Sequence, residues 1–188
     1  ATVSLGTGME YSASSTHTGG NFTLTHAGGS GEINLHNVSA GGNMSVTLGA
    51  GSVGLVLAVS SALDIGVDGA LTINAANSTQ TDAISFNGGF VSASGISIIT
   101  GTSGDFDGGS AMNSNKGFSL TQSGSGNVTL ATTNTISAEA TITLAGGHLT
   151  VASTSGALTV GGLLTINASE AASASVSHNY ITASGLSV

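Results

Sequence analysis

The chain has no cysteine, no proline and no tryptophan, and its only cationic residue besides histidine is Lys116. Each absence removes a class of explanation. Without cysteine there is no disulfide framework and no thiolate metal site. One lysine against nine carboxylates leaves a net charge of −8. No basic face exists to neutralise phosphates, which argues against a nucleic-acid partner and against polybasic attachment to anionic lipid. The longest apolar stretch, Val53 to Val59, is far short of the roughly 20 residues of a membrane-spanning helix, so no membrane insertion is expected. No signal peptide is visible, since Ala1 opens straight into Thr-Val-Ser-Leu. The chain therefore reads as a mature product or an excised piece.

What is present is glycine, serine, threonine, alanine and asparagine, arranged around patterned apolar residues. Disordered chains combine low hydrophobicity with high charge density. Here the mean hydropathy is +0.36 and only 5% of residues are charged, so the chain is expected to fold. Solubility rests on hydroxyls and amides. With a single Lys and no Arg, the chain offers trypsin-like proteases almost no target. Both features suit a cell exterior, and an extracellular or cell-surface location is the expectation.

The sequence repeats itself. Gly69-Ala-Leu-Thr-Ile-Asn-Ala75 matches Gly162-Leu-Leu-Thr-Ile-Asn-Ala168, and Phe90-Val-Ser-Ala-Ser-Gly-Ile-Ser-Ile98 matches Tyr180-Ile-Thr-Ala-Ser-Gly-Leu-Ser-Val188. Phe22-Thr-Leu-Thr25 aligns with Phe118-Ser-Leu-Thr121, Val38-Ser-Ala40 with Ile136-Ser-Ala138, and Met44 to Leu48 with Ala140 to Leu144. Ile84-Ser85 aligns with Val176-Ser177. Two β-rich units follow, residues 1–94 and 95–188. Val3-Ser4-Leu5 further corresponds to Ile96-Ser97-Ile98 and to Leu186-Ser187-Val188. The N-terminus thus begins where a preceding repeat would finish. Either the chain is cut from a longer array, or subunits meet head to tail at this strand.

Inside each unit a shorter phrase recurs: glycine, an optional spacer, an apolar residue, Thr/Ser/Asn, and an apolar residue. Examples are Gly31-Glu-Ile-Asn-Leu35, Gly42-Asn-Met-Ser-Val46 and Gly126-Asn-Val-Thr-Leu130. Alternation over four or five residues with β-branched side chains is the signal of a half-buried strand, and glycines supply the turns between. No helical period is evident. The fold expected is all-β. With 4% aromatics and no linker at the boundary of the units, a β-solenoid resembling a parallel β-helix is favoured over two tandem β-sandwich domains.

The Gly-x-Leu-Thr-Ile-Asn-Ala phrase at residues 69–75 and 162–168 resembles the repeats of filamentous-haemagglutinin-type adhesins and related bacterial surface β-helix proteins. That resemblance implies a right-handed parallel β-helix, secretion, and a structural or adhesive stalk. The irregular spacing here departs from the steadier period of that family.

Candidate sites are few. Gly49-Ala-Gly-Ser-Val-Gly54 fits G-x-G-x-x-G, but a dinucleotide site needs a helix after it, and Leu55 to Val59 reads as a strand; a turn is the simpler account. Asp105 and Asp107 form the one close acidic pair and are the candidate calcium ligands, without the rest of a calcium-loop phrase. His17, His26, His36, His148 and His178 show no metal-ligand spacing, although His26 and His36 could meet across neighbouring strands. Asp64 and Asp68 have no acidic counterparts in the second unit, and no nucleophile motif occurs. No enzyme activity is expected, nor any cofactor besides calcium. The N-x-S/T sequons at Asn21, Asn37, Asn43, Asn77, Asn127 and Asn167 are close to what this composition yields by chance. The pairs Thr23/Thr25 and Thr141/Thr143 are of the type seen on ice-binding faces, but such pairs do not recur coil after coil, which argues against that use.

The functional expectation is a non-enzymatic structural unit that assembles head to tail into a filament, surface layer or adhesin stalk. Its junction residues would be Thr2, Val3, Ser4, Leu5, Gly185, Leu186, Ser187 and Val188. The alternative is an adhesive module of tandem sandwiches that takes surface glycans or calcium in its loops.

Overall fold

The computed structural model describes residues 1–57, 64–81, 83–130 and 134–188, excluding the side chains of 52, 152–155 and 177–180. The described residues contain strands and turns and no helix. In chain order the first strands are β1 (Thr2–Leu5), β2 (Tyr11–Ala13), β3 (Thr16–Thr18), β4 (Phe22–Leu35), β5 (Val38–Ala40), β6 (Met44–Leu57), β7 (Ile65–Asn74), β8 (Ile84–Phe86) and β9 (Phe90–Thr100). There follow β10 (Phe106–Gly108), β11 (Ala111–Ser114), β12 (Gly117–Gln122), β13 (Val128–Leu130), β14 (Asn134–Ile136) and β15 (Glu139–Leu144). The last are β16 (His148–Val160), β17 (Leu163–Asn167), β18 (Ser173–Thr182) and β19 (Gly185–Ser187).

Every ladder between these strands is parallel, and each strand pairs with the strand one coil before or after it. The molecule is a β-solenoid of about eight turns. Tandem sandwiches, which need antiparallel pairs, are excluded. Each coil has three faces. Face A carries β1, the first half of β4 and of β6, the second half of β7 and of β9, then β12, β15, β17 and β19. Face B runs from β2 through β8, β10 and β13 to the start of β18; face C runs from β3 through β5, β11 and β14 to its end.

The repeating phrase explains this architecture. Side chains alternate between inside and outside along a strand, so in Phe22-Thr-Leu24 the Phe and Leu are fully buried while Thr23 lies on the surface. Stacked coils bring like residues together, and the interior is one continuous core of Leu, Ile, Val, Met and Phe. Phe86 and Phe106 meet edge to face inside it, with centroids 5.2 Å apart. Where β6 turns from face A to face B, the close approach of the neighbouring coil requires glycine. Gly51 has φ +111°, and a Cβ there would sit 2.2 Å from the carbonyl oxygen of Gly29 in the coil below.

The two sequence units map onto this stack four coils apart. Phe22 and Phe118, Met44 and Ala140, and Leu71 and Leu164 occupy the same inward column of face A. The boundary at residues 94 and 95 falls inside β9, and a single core crosses it. Three of the sequence alignments are corrected by the register. Val38 is continued by Ile65, Val91, Met112 and Asn134, two residues from the Ile136 aligned with it. Val3 stacks over Leu24, Val46, Ile73 and Ile98, not Ile96, so that alignment is two residues out. Ile84 is continued by Phe106, Val128, Leu149 and Ala174, again two residues from the Val176 aligned with it. An alternating strand looks the same after a slip of two, which is why sequence alone misplaces it.

Candidate functional site

Three kinds of surface could carry function: the end coils, the outward columns of the faces, and the polar groups at the corners. The expected junction residues lie on face A at opposite ends of the solenoid. Thr2, Val3, Ser4 and Leu5 form β1, which pairs on one side only, with β4. Val3 and Leu5 point inward and pack half-buried against the core. At the other end Gly185, Leu186 and Ser187 form β19, paired on one side with β17. Leu186 continues the inward column of Leu164, yet it is 61% exposed, and Val188 is 85% exposed, because no described coil lies over them. Ile181 at the same end is also exposed. Each end thus presents unpaired backbone groups and an apolar face of a kind that another coil would cover.

The outward columns of face A have a regularity the linear sequence hides. Thr2, Thr23, Ser45, Thr72, Ser97, Ser119, Thr141, Thr165 and Ser187 are in register, one per coil. Two residues further along each strand, a second column holds Ser4, Thr25, Thr47, Asn74, Ile99, Thr121, Thr143 and Asn167. None of the Ser and Thr hydroxyls in these columns hydrogen-bonds to another described residue. Beside the first column runs a shallow open groove of about 580 Å³, where Gly95 and Gly117 leave space between Ala70, Lys116 and Glu139.

Elsewhere polar side chains are engaged in holding coils together. Asn21 Oδ1 accepts the Asn43 N–H at 2.9 Å, and Asn43 Oδ1 accepts the Ala70 N–H at 2.9 Å. A second relay at the corner between faces A and B runs from Asp105 Oδ1, which accepts the Asn127 N–H at 2.5 Å, to Asn127 Oδ1, which accepts the His148 N–H at 3.1 Å. Asp105 therefore acts as a coil-to-coil acceptor, while Asp107 lies on the outer side of β10. Glu32 shares their groove on face B. Calcium takes six to eight oxygens, and no group of three or more His, Asp or Glu able to hold a metal occurs among the described residues. Asp64 Oδ1 accepts the Phe90 N–H at 3.0 Å, so it too serves the backbone.

The histidines do not converge. His26 is buried on face A, whereas His36 follows the end of β4 at another corner, so these two do not meet across neighbouring strands. His26 Nδ1 accepts the Gly28 N–H at 2.9 Å, which leaves Nε2 to donate to the Met9 carbonyl at 2.7 Å. Both ring nitrogens are thereby taken, and neither can ligate a metal. Four coils on, Gln122 does the same work: its Oε1 accepts the Gly124 N–H at 3.0 Å and its Nε2 donates to the Gly101 carbonyl at 3.4 Å. His17 shares hydrogen bonds with Ser15 and Ser39, and His148 with Ser173. The side chain of His178 lies outside the described residues.

Gly49 to Gly54 lies within β6, where the chain rounds a corner and continues as strand through Leu57; Ala58 and Val59 lie outside the described residues. Among the described residues no helix follows to receive a pyrophosphate. Comparison with known proteins gives no match among family models, curated proteins or solved structures.

The double hydroxyl column is what sequence reading missed. Its members are separated by irregular intervals, from 21 residues between Thr2 and Thr23 to 27 between Ser45 and Thr72. The usable signal was the shared phrase, apolar–Thr/Ser–apolar–Thr/Ser/Asn, once strands are aligned by face rather than by count.

Proposed function

We propose that this chain is a non-enzymatic structural segment of a cell-surface assembly, working by the stacking of coils into a filament, layer or adhesin stalk. The observation that carries this reading is the pair of end surfaces. β1 and β19 each have one unpaired edge, in the same parallel sense and on the same face, beside apolar residues that only another coil would bury. A coil donated by the same chain and one donated by a second copy would meet the same surface. In a solenoid each unit contacts only its neighbours, so length grows without new kinds of contact. Charge commonly protects exposed strand edges, and neither β1 nor β19 contains a charged residue. The sequence resemblance to filamentous-haemagglutinin-type adhesins supports the same reading, as does a composition suited to the cell exterior.

The test is charge at the junction. Replacing Val3 and Leu5, or Leu186 and Val188, by Lys places uncompensated cations where a neighbouring coil must pack. Electron microscopy and sedimentation should show that the unaltered chain forms end-to-end assemblies and the Lys variants remain short. Assemblies of unchanged length from both double variants would rule the junction out.

A further inference from the structure

A second surface activity rests on face A and does not depend on how the ends are used. We propose that the outward double column of face A binds ice.

The argument starts from spacing. Neighbouring coils of a parallel stack lie about 4.8 Å apart, and successive outward residues of one strand about 6.6 Å apart. The in-register columns beginning at Thr2 and Ser4 therefore make a near-rectangular grid of hydroxyls, carried through every coil in the first column. The repeat from coil to coil is close to the shorter repeat of water oxygens on faces of hexagonal ice. In the second column Asn74 and Asn167 keep a polar group, and Ile99 alone is apolar.

Chemistry points the same way. An ice surface is uncharged, so a group that recognises it must share hydrogen bonds without holding a tight, disordered hydration shell. Thr supplies a hydroxyl and a methyl: the first joins the water lattice and the second excludes competing water. Neither column contains a charged residue. Their hydroxyls have no partner among the described residues, whereas on other faces Ser39 and Ser173 are bound to His17 and His148. Face B interrupts its equivalent column with Val56 and Asp107, and face C interrupts its own with His17 and Gly66. Among the described residues, face A alone has an unbroken hydroxyl column. A crystalline polysaccharide fits less well, because sugar rings are held by stacking on aromatic side chains, and neither column contains one.

The experiment uses the whole chain at sub-zero temperature, with crystal shape and thermal hysteresis read in a nanolitre osmometer and partition read from a slowly growing ice front. The unaltered protein should facet ice crystals, hold them unchanged below the melting point, and concentrate in the ice. A Ser119→Lys, Thr141→Lys variant should lose all three effects. A Thr135→Lys, Thr159→Lys variant, altered on face C, should keep them. Circular dichroism of both variants checks that the β-fold is intact, and Ser97→Tyr supplies a second, uncharged block of the grid if the Lys pair unfolds. Round crystals with no hysteresis from the unaltered protein would overturn the proposal. So would equal loss from the face C variant, or binding to crystalline chitin or cellulose without any effect on ice.

Discussion

At the scale of single residues, the buried polar groups show how little freedom the coil leaves. His26 and Gln122 have different side chains, but each accepts a backbone N–H two residues ahead and donates to a carbonyl of the preceding coil. The common requirement is one acceptor and one donor at a tight corner, not an imidazole. We expect His26→Gln to change unfolding free energy by no more than about 1 kcal/mol, since volume and both bonds are nearly preserved. His26→Ala should cost about 2–4 kcal/mol, because the Met9 carbonyl and Gly28 N–H lose their partners and a cavity opens. Urea denaturation of the two variants checks this; equal losses would show that the histidine has a role its hydrogen bonds do not describe. Thr100, between these positions in the stack, is buried with its hydroxyl unpartnered. Not every coil, therefore, solves the corner in the same way.

At the scale of the coil, the unit of construction is set by register rather than by the sequence repeat. Ile96 stacks on Phe118 after 22 residues, but Leu55 reaches Ile84 only after 29. Removing residues 96–117 should bring Phe118 into the place of Ile96 over Leu71 and leave a shorter, cooperatively folded solenoid. Removing residues 96–106 should strand an inward column outside and fail to fold. Circular dichroism and thermal melts distinguish the outcomes, and equal behaviour of the two deletions would contradict the coil as the unit. This is also where legibility in the sequence has its limit. Strand-forming alternation at Phe22 to Leu24 or Leu71 to Ile73 was plain, as was the duplication of Gly69 to Ala75 at Gly162 to Ala168, because they depend on local pattern. The correct partner of Val3 was not, since alternation is unchanged by a slip of two residues. The grid of face A was hidden for a related reason: variable corners scatter its members along the chain, and only hydrogen-bonded register brings Thr2, Thr23 and Ser45 into line.

At the scale of the whole molecule, face, core and ends divide the work. The continuous apolar interior supplies stability without large aromatics at every level, in keeping with a chain that buries Phe22, Phe86 and Phe106 but has no tryptophan. The polar relays from Asn21 and Asp105 tie successive coils, so these side chains act along the axis. Outward hydroxyls are left for solvent or a ligand, and the end strands for another coil. If end-to-end stacking is the principal use of the molecule, assemblies must extend the existing hydrogen-bond direction. Diffraction from magnetically or flow-aligned assemblies tests this most directly. The account predicts a reflection at about 4.8 Å along the long axis of the assembly, from coils stacked through the junction. The same reflection perpendicular to that axis, or a chain that stays monomeric at every concentration, would contradict it.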